Sequence, residues 1–483
     1  MSQSLYRVRA GDTAESGLKP VPHKLDVDLW RDGLNVIFFE GGPQKIPGWV
    51  SPVAFTPSFP IRGMLAIQDD AGIQRLFFGD KNTLFHYNSV SIATIGTGYN
   101  GAQHETSTTP AAAWSMTQWG NWLVASDGAN NMQVWKGTGS AAAIAGSPPT
   151  RAQIVLKKDN HLLCINNSLG FNNYAWCKAD DLENWEFADP ASSAGNNIMR
   201  EMNGPAVAAC EFGGKVAVLG KSQLFFISYI GAPLYFGHKF QLGGIGACGK
   251  MALCEANGFL YGFDDKGAWM SDGTSFRRID SPAVREYIQD NINLGQLSKV
   301  VVCHNSAQQE VQFFFPGDSG EVEFGLGFRY ANNSWTKLGY GRSGAVQQPG
   351  VFKYHITADP TEGLAFQGKL SGVDSWNDPL VAWVQTRPLD LDRPDYWKYV
   401  DVVMAQLRRS TGSFKVQLAW QEALTDAISW IDSDPAVLDE GFSPAYFRET
   451  GRFLSLKFGS TGLGADWALS GFDVFGESAG RVM

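Results

Sequence analysis

Phe259-Leu-Tyr-Gly-Phe263, Ala268-Trp-Met-Ser271 and Phe276-Arg-Arg-Ile279 follow one another with only Asp264-Asp-Lys-Gly267 and Asp272-Gly273 to join them. Runs this short and this rich in aromatic residues read as strands rather than helices. Gly267 and Gly273 supply the positive φ that tight hairpins need. Immediately upstream, Val216-Ala-Val-Leu219 and Leu224-Phe-Phe-Ile-Ser-Tyr-Ile230 flank the turn Gly220-Lys-Ser-Gln223 in the same way. The repeated meander is the pattern of a propeller blade. A helix is expected only afterwards: Ser281 caps it, Pro282 suits its first position, and Val284, Tyr287, Ile288 and Ile292 share one face.

Outward from this stretch the theme recurs. Leu76-Phe-Phe78 turns into Leu84-Phe-His-Tyr87, and Trp119 to Ala125 turns through Ser126-Asp-Gly128 toward Met132-Gln-Val-Trp135. Asn160 to Ile165 leads to Tyr174-Ala-Trp176 and then Asp180 to Trp185, while Val311 to Phe315 leads to Gly327-Phe-Arg-Tyr330 and Trp335. With Asn82, Asn121, Asn160, Gly214, Gly258 and Gln309 as anchors, the intervals are 39, 39, 54, 44 and 51 residues. Blades repeat at about 40–50 residues. The expected fold is therefore mainly β, a β-propeller of about six or seven blades over 55–385. Residues 1–54 are expected to be an N-terminal arm and first strand, and 386–483 an antiparallel β-sheet or sandwich domain. The latter rests on Tyr399 to Val403, Phe414 to Trp420, Phe453 to Phe458 and Trp467 to Val474, which alternate apolar and polar residues beyond the linker-like Arg387 to Pro394.

The chain has 483 residues, 44% hydrophobic and 18% charged, with 54 glycines and 13% aromatic residues. That balance fits a folded protein and favours all-β architecture. The start, Met1-Ser-Gln-Ser-Leu-Tyr-Arg-Val-Arg9, lacks the apolar core of a secretory signal, and no run approaches the ~18 residues of a membrane span, so cytosolic synthesis is expected. Free thiols are then expected at Cys164, Cys177, Cys210, Cys248, Cys254 and Cys303. A net charge of −9 argues against tight general DNA binding. The pairs Lys157-Lys158, Arg277-Arg278 and Arg408-Arg409 read as solvated faces.

Motifs that carry chemistry are weak throughout. Gly244-Ile-Gly-Ala-Cys-Gly249 matches GxGxxG, with Asp264 downstream, but Lys250 to Cys254 reads as a strand where a nucleotide site needs a helix. Ser126-Asp-Gly128 and Ser271-Asp-Gly273 lack the residue that an Asp box inserts and are expected to be plain turns. Asp390, Asp392 and Asp395 lack the glycine and final glutamate of an EF-hand. Cys303-His304 and His161-Leu-Leu-Cys164 have no second pair to complete a zinc site. No Gly-x-Ser-x-Gly elbow occurs, and the histidines are scattered. The residues thus nominate no catalytic, cofactor-binding or metal-ligating site, and no cofactor.

The chain resembles the tail nozzle or tail hub proteins of short-tailed, podovirus-like bacteriophages. The resemblance rests on Asn35-Val-Ile-Phe-Phe-Glu-Gly-Gly-Pro-Gln-Lys-Ile-Pro-Gly48, on Gly258 to Gly273 with the helix after it, and on Arg452-Phe-Leu-Ser-Leu-Lys457 with Trp467 to Val474. It implies a structural virion protein without catalysis, built as a propeller with a platform made by the terminal segments. It further implies a ring, a homohexamer, that meets adaptor and tail fibre or spike proteins. Such a ring closes the tail channel, then conducts duplex DNA without specific binding, and touches the host cell surface transiently. Its location would be the virion tail, after synthesis in the host bacterial cytoplasm. Two alternatives stand beside it: a propeller carbohydrate-binding protein or glycoside hydrolase, and another propeller scaffold or adaptor.

Overall fold

A computed structural model describes residues 4–9, 30–39, 42–99, 113–189, 192–347, 350–367, 378–391, 394–434 and 442–481. Four-stranded antiparallel meanders follow one another along most of it. Blade 1 comprises Met64–Gln68, Gln74–Gly79, Thr83–Tyr87 and Ile92–Thr97. Blade 2 comprises Ser115–Trp119, Trp122–Ser126, Gln133–Trp135 and Ala142–Ala143. Blade 3 comprises Ala152–Lys158, His161–Asn167, Gly170–Trp176 and Gly195–Ile198. Blade 4 comprises Ala208–Phe212, Lys215–Leu219, Gln223–Gly231 and Tyr235–Gly243. The opening stretch supplies blade 5: Leu253–Ala256, Phe259–Asp264, Gly267–Ser271 and Phe276–Arg278. Blade 6 comprises Val301–Asn305, Glu310–Pro316, Val322–Arg329 and Ser334–Leu338.

The seventh unit is assembled from distant parts of the chain. Gly344–Gln347, Ile356–Asp359 and Gly363–Gln367 provide three strands, and Trp49–Val50 pairs with Phe366 and Gln367 as the fourth. Its first strand also pairs in parallel with blade 1, Val346 opposite Met64 and Gln347 opposite Leu65. This contact closes the circle of innermost strands. Those strands stay in step elsewhere: the Val155 amide donates to Ser115 Oγ at 2.9 Å and the Lys157 amide to Thr117 Oγ1 at 3.1 Å.

Packing explains why the meanders stack. A sheet with apolar side chains on both faces must bury both. Leu163, Ile165 and Tyr174 of blade 3 pack on Val216, Phe225 and Ile227 of blade 4, whose other face, with Ala217 and Leu224, meets Leu260 and Trp269 of blade 5. Buried indoles bind across these seams: Trp114 Nε1 donates to the Asp80 carbonyl at 2.8 Å, Trp269 Nε1 to that of Gly246 at 2.9 Å, and Trp335 Nε1 to that of Ile279 at 3.0 Å. The helix Pro282–Asn291 follows blade 5, its first turn capped by Ser281 Oγ, which accepts from the Val284 amide.

The repeat spacing needs one correction. Asn121, Asn160, Gly214, Gly258 and Gln309 all sit at the first hairpin of their blades, but Asn82 lies in the second hairpin of blade 1. The equivalent position is near Gly72, in the turn between Gln68 and Gln74. The long intervals have separate causes: an excursion between Trp176 and Gly195 in blade 3, and the helix ahead of blade 6. Asp180 to Trp185 lies in that excursion, forming turns rather than a blade strand.

Both ends of the chain meet in a β-sandwich. One sheet runs Trp30–Leu34, Ala382–Thr386, Phe453–Ser460, Lys415–Gln421, Ile431–Asp432, and continues directly from blade 6, where Leu34 pairs with Lys337. The facing sheet runs Val36–Phe39, Gly42–Lys45, Asp466–Arg481, Tyr396–Thr411, Phe442–Gly451, with Ser4–Arg9 alongside residues 471–476. Trp30, Val36, Val384, Val400, Leu456, Trp467 and Phe472 share the core between them. The divisions expected at 54/55 and 385/386 therefore shift. Residues 30–39 and 42–45 belong to the two sheets of the sandwich, with Trp30, Val36 and Phe38 in its core, Trp49–Val50 pairs with the strand Gly363–Gln367 of the seventh unit, and Ala382–Thr386 is already a sandwich strand. Asn35 pins the junction, donating through Nδ2 to the Val381 carbonyl and accepting from the Gly339 amide, each at 2.8 Å.

Candidate functional site

The innermost strands enclose an axial cavity of about 670 Å³. Leu65, Met116, Leu156, Cys210, Cys254 and Val302 form part of its wall. Lys250 crosses one end. It precedes the first strand of blade 5, yet its Nζ donates to the carbonyl of Ala113, which precedes the first strand of blade 2, at 2.5 Å. These blades lie on opposite sides of the ring, so the side chain bridges the axis. Enclosure by the wall strips water from the ammonium and pushes its pKa down to about 7, with Asp127 opposing weakly.

At the other end the strands finish on polar residues: Gln118, Lys157, Glu211, Glu255 and His304, with Asp70 nearby in the cavity lining. Each carboxylate already has a partner. Glu211 binds Lys158 Nζ at 3.1 Å, Asp70 accepts from Asn121 Nδ2 at 2.9 Å, and Glu255 accepts from the Gly258 amide at 2.8 Å. His304 Nε2 lies 3.3 Å from Tyr330 Oη, and burial lowers the pKa of this imidazole.

The other candidate motifs resolve into structure. In Gly244–Gly249, a Cβ on Gly246 would lie 1.9 Å from the Lys221 carbonyl oxygen, so that glycine serves a close backbone approach. Asp264 accepts from the Gly246 amide and pairs with Arg278 at 2.6 Å, and a strand follows the motif. Ser126 donates to the Ala152 carbonyl and Asp127 caps the next amides, while Asp272 accepts from the amides of Thr274 and Ser275. Both are hairpin or loop devices, as their sequences suggest. Asp392 lies outside the described residues. One member of each basic pair departs from the expected solvated face, since Lys158 is buried against Glu211, Arg278 binds Asp264 and Arg409 binds Asp466, while Lys157, Arg277 and Arg408 are exposed as expected.

The cysteines are free thiols, three buried and three partly so. Cys303 points not to His304 but to His355, with Sγ 3.9 Å from Nε2. Burial pushes the Cys303 thiol up and the His355 imidazole down to about 3, so both are neutral and the pair lacks the thiolate a nucleophile requires. No group of three His, Cys, Asp or Glu side chains among the described residues is arranged to hold a metal ion. No helix among them is long and apolar enough to cross a membrane.

Sequence reasoning missed two features. Lys250 reads as an ordinary strand-entry lysine, and only ring closure carries it across the axis. Arg342 draws no notice in the sequence, yet it is fully buried between the rings of Trp49 and Tyr340, 4.6 and 4.4 Å from their centroids, and pairs with Asp359 at 2.9 Å. Trp49 arrives from the far end of the chain, so no local signal announces this site.

No protein-family profile matches the chain, and no curated protein does. Among solved structures, YCF48 from Cyanidioschyzon merolae aligns over 66% of this chain and 98% of its own, at 9% identity and a TM-score of 0.39. The dihydro-heme d1 dehydrogenase NirN aligns over 84% and 78%, at 10% identity and a TM-score of 0.36. An exo-β-1,3-galactanase from Phanerochaete chrysosporium aligns over 89% and 100%, at 11% identity and a TM-score of 0.23. At these scores the likenesses carry no activity across, and the architecture rests on the strand pairing itself: the chain is a mainly β protein built on a β-propeller.

Proposed function

We propose that this chain is a structural subunit of a bacteriophage tail, a nozzle or hub protein that works as a ring of copies. The reading is supported above all by the sheet that runs unbroken from blade 6 into the sandwich. It makes propeller and sandwich one stiff unit, which suits a part that must keep its shape under load. The axial cavity, bridged by Lys250, offers no passage for a duplex, so a DNA conduit would have to run between copies about a separate axis. A closed ring repeats each modest contact at every interface. The net charge of −9 suits a wall along which phosphate slides without being held.

In this reading the neighbours are adaptor and fibre or spike proteins, and the site of action is the virion tail. The carbohydrate-cleaving alternative would require a pair of free carboxylates facing one cleft. The engagement of Asp70, Glu211 and Glu255 within the chain weighs against it. Negative-stain class averages of the purified chain, alone and mixed with adaptor and fibre proteins, test the proposal. Closed rings with an axial hole wide enough for duplex DNA are expected, and compact single subunits under both conditions would refute it.

A further inference from the structure

We propose that the axial cavity captures small uncharged aldehydes, which the Lys250 amine holds as an imine. The inference is independent of ring assembly and begins with where this side chain sits. Lys250 lines a cavity of about 670 Å³, large enough to admit a few-carbon compound beside it. Its hydrogen-bond acceptor is a neutral backbone carbonyl, that of Ala113, and among the described residues no carboxylate lies in ion-pair range of Nζ. Among the described residues only the weak pull of Asp127 favours its proton, and burial outweighs it. With the pKa pushed to about 7, a large fraction is neutral at physiological pH and carries the lone pair that attacks a carbonyl carbon.

The surroundings select the class of ligand. Leu65, Met116 and Met251 contribute apolar wall. The cations that enter the neighbouring strands are already bound: Arg62 and Lys299 to Glu321, and Arg342 to Asp359. Lys157 lies at the opposite end of the cavity from Lys250, so a keto acid held at Lys250 would bury its carboxylate away from that cation, whereas an uncharged aldehyde leaves no charge to satisfy.

The chemistry needs only the amine and the carbonyl. The nitrogen lone pair forms a C–N bond as the carbonyl π pair moves to oxygen, which takes up one amine proton. The resulting carbinolamine loses its hydroxyl together with the remaining N–H proton as water, leaving C=N.

The test uses the full chain with acetaldehyde and sodium cyanoborohydride, which delivers hydride to the imine carbon and fixes the adduct as N-ethyl-lysine. Peptide mass spectrometry reads the rate at each lysine from pH 6 to 10. Near pH 7 about half of such an amine is neutral, against about one part in 2,500 for an unshifted lysine. Lys250 is expected to label about tenfold or more faster than surface lysines at pH 7, with a rate that levels off above pH 8. Lys250→Arg should abolish that adduct and leave labelling elsewhere unchanged. Labelling of Lys250 that lags the surface lysines at pH 7, or climbs with them to pH 10, would overturn the proposal. Because the wild-type pH profile decides the matter, a poorly folding variant would not obscure it.

Discussion

Replacing Gly267 with valine probes the turn on which blade 5 depends. Gly267 has φ +120°, a conformation that side chains with a Cβ rarely adopt, and forcing one there costs about 1–3 kcal/mol. A Cβ at this position would also lie 2.1 Å from Asp280 Oδ2. Asp280 is fully buried and receives Arg285 through Nε at 3.0 Å and Nη2 at 3.3 Å. Breaking a buried ion pair costs about 3–5 kcal/mol, but Arg285 is 44% exposed, so solvent screening reduces this to about 1–2 kcal/mol. Together the two effects predict a loss of about 2–5 kcal/mol, a large part of the ~5–15 kcal/mol that holds most domains folded. Gly258→Val is the control: φ is +77°, but nothing lies within 4 Å of its Cβ. It should lose only the backbone cost, about 1–2 kcal/mol. Urea unfolding followed by tryptophan fluorescence measures both. Equal losses in the two variants, within about 0.5 kcal/mol, would refute the assignment of Asp280 as the obstructing group.

Glu310 gives a pH prediction. It is 1% exposed, and burial raises its carboxyl pKa from 4.5 to about 7 against the opposing Gln312 hydrogen bond and Arg329 charge. Because the folded pKa is raised, the unfolded chain sheds its proton first. Stability is full below pH 4.5 and falls by about 3 kcal/mol as pH rises to about 7. Glu310→Gln should flatten this window relative to wild type in urea melts at stepped pH, and parallel curves would contradict it. Trp49→Ala removes the fully buried ring packed on Tyr340 and Arg342 and should cost about 3–5 kcal/mol. Hydrogen exchange should quicken first in Ile356–Gln367, and quickening in blades 3 and 4 instead would show that Trp49 is not the clasp of blade 7.

The propeller was legible wherever neighbours in sequence are neighbours in space. The hairpins around Asp264-Asp-Lys-Gly267 and Ser126-Asp-Gly128 announce themselves because each turn needs particular residues, and Ser281-Pro282 marks the helix for the same reason. Blade 7 and the sandwich were less legible, since Trp49 pairs with Gln367 and Trp30 with Thr386 across more than 300 positions. No local pattern encodes such pairings. The cavity shows the same limit. Its apolar wall is readable as strand residues, but the reach of Lys250 to Ala113 and the burial of Arg342 appear only when the ring closes. The basic pairs misled for a related reason: Lys158 and Arg278 look like surface charges until Glu211 and Asp264 are brought beside them.

Native mass spectrometry of the purified chain at micromolar concentration is the most direct test of the proposed role. A closed assembly at six times the 52.7 kDa chain mass is the predicted result. A single 52.7 kDa species that persists when adaptor and fibre proteins are added would contradict it.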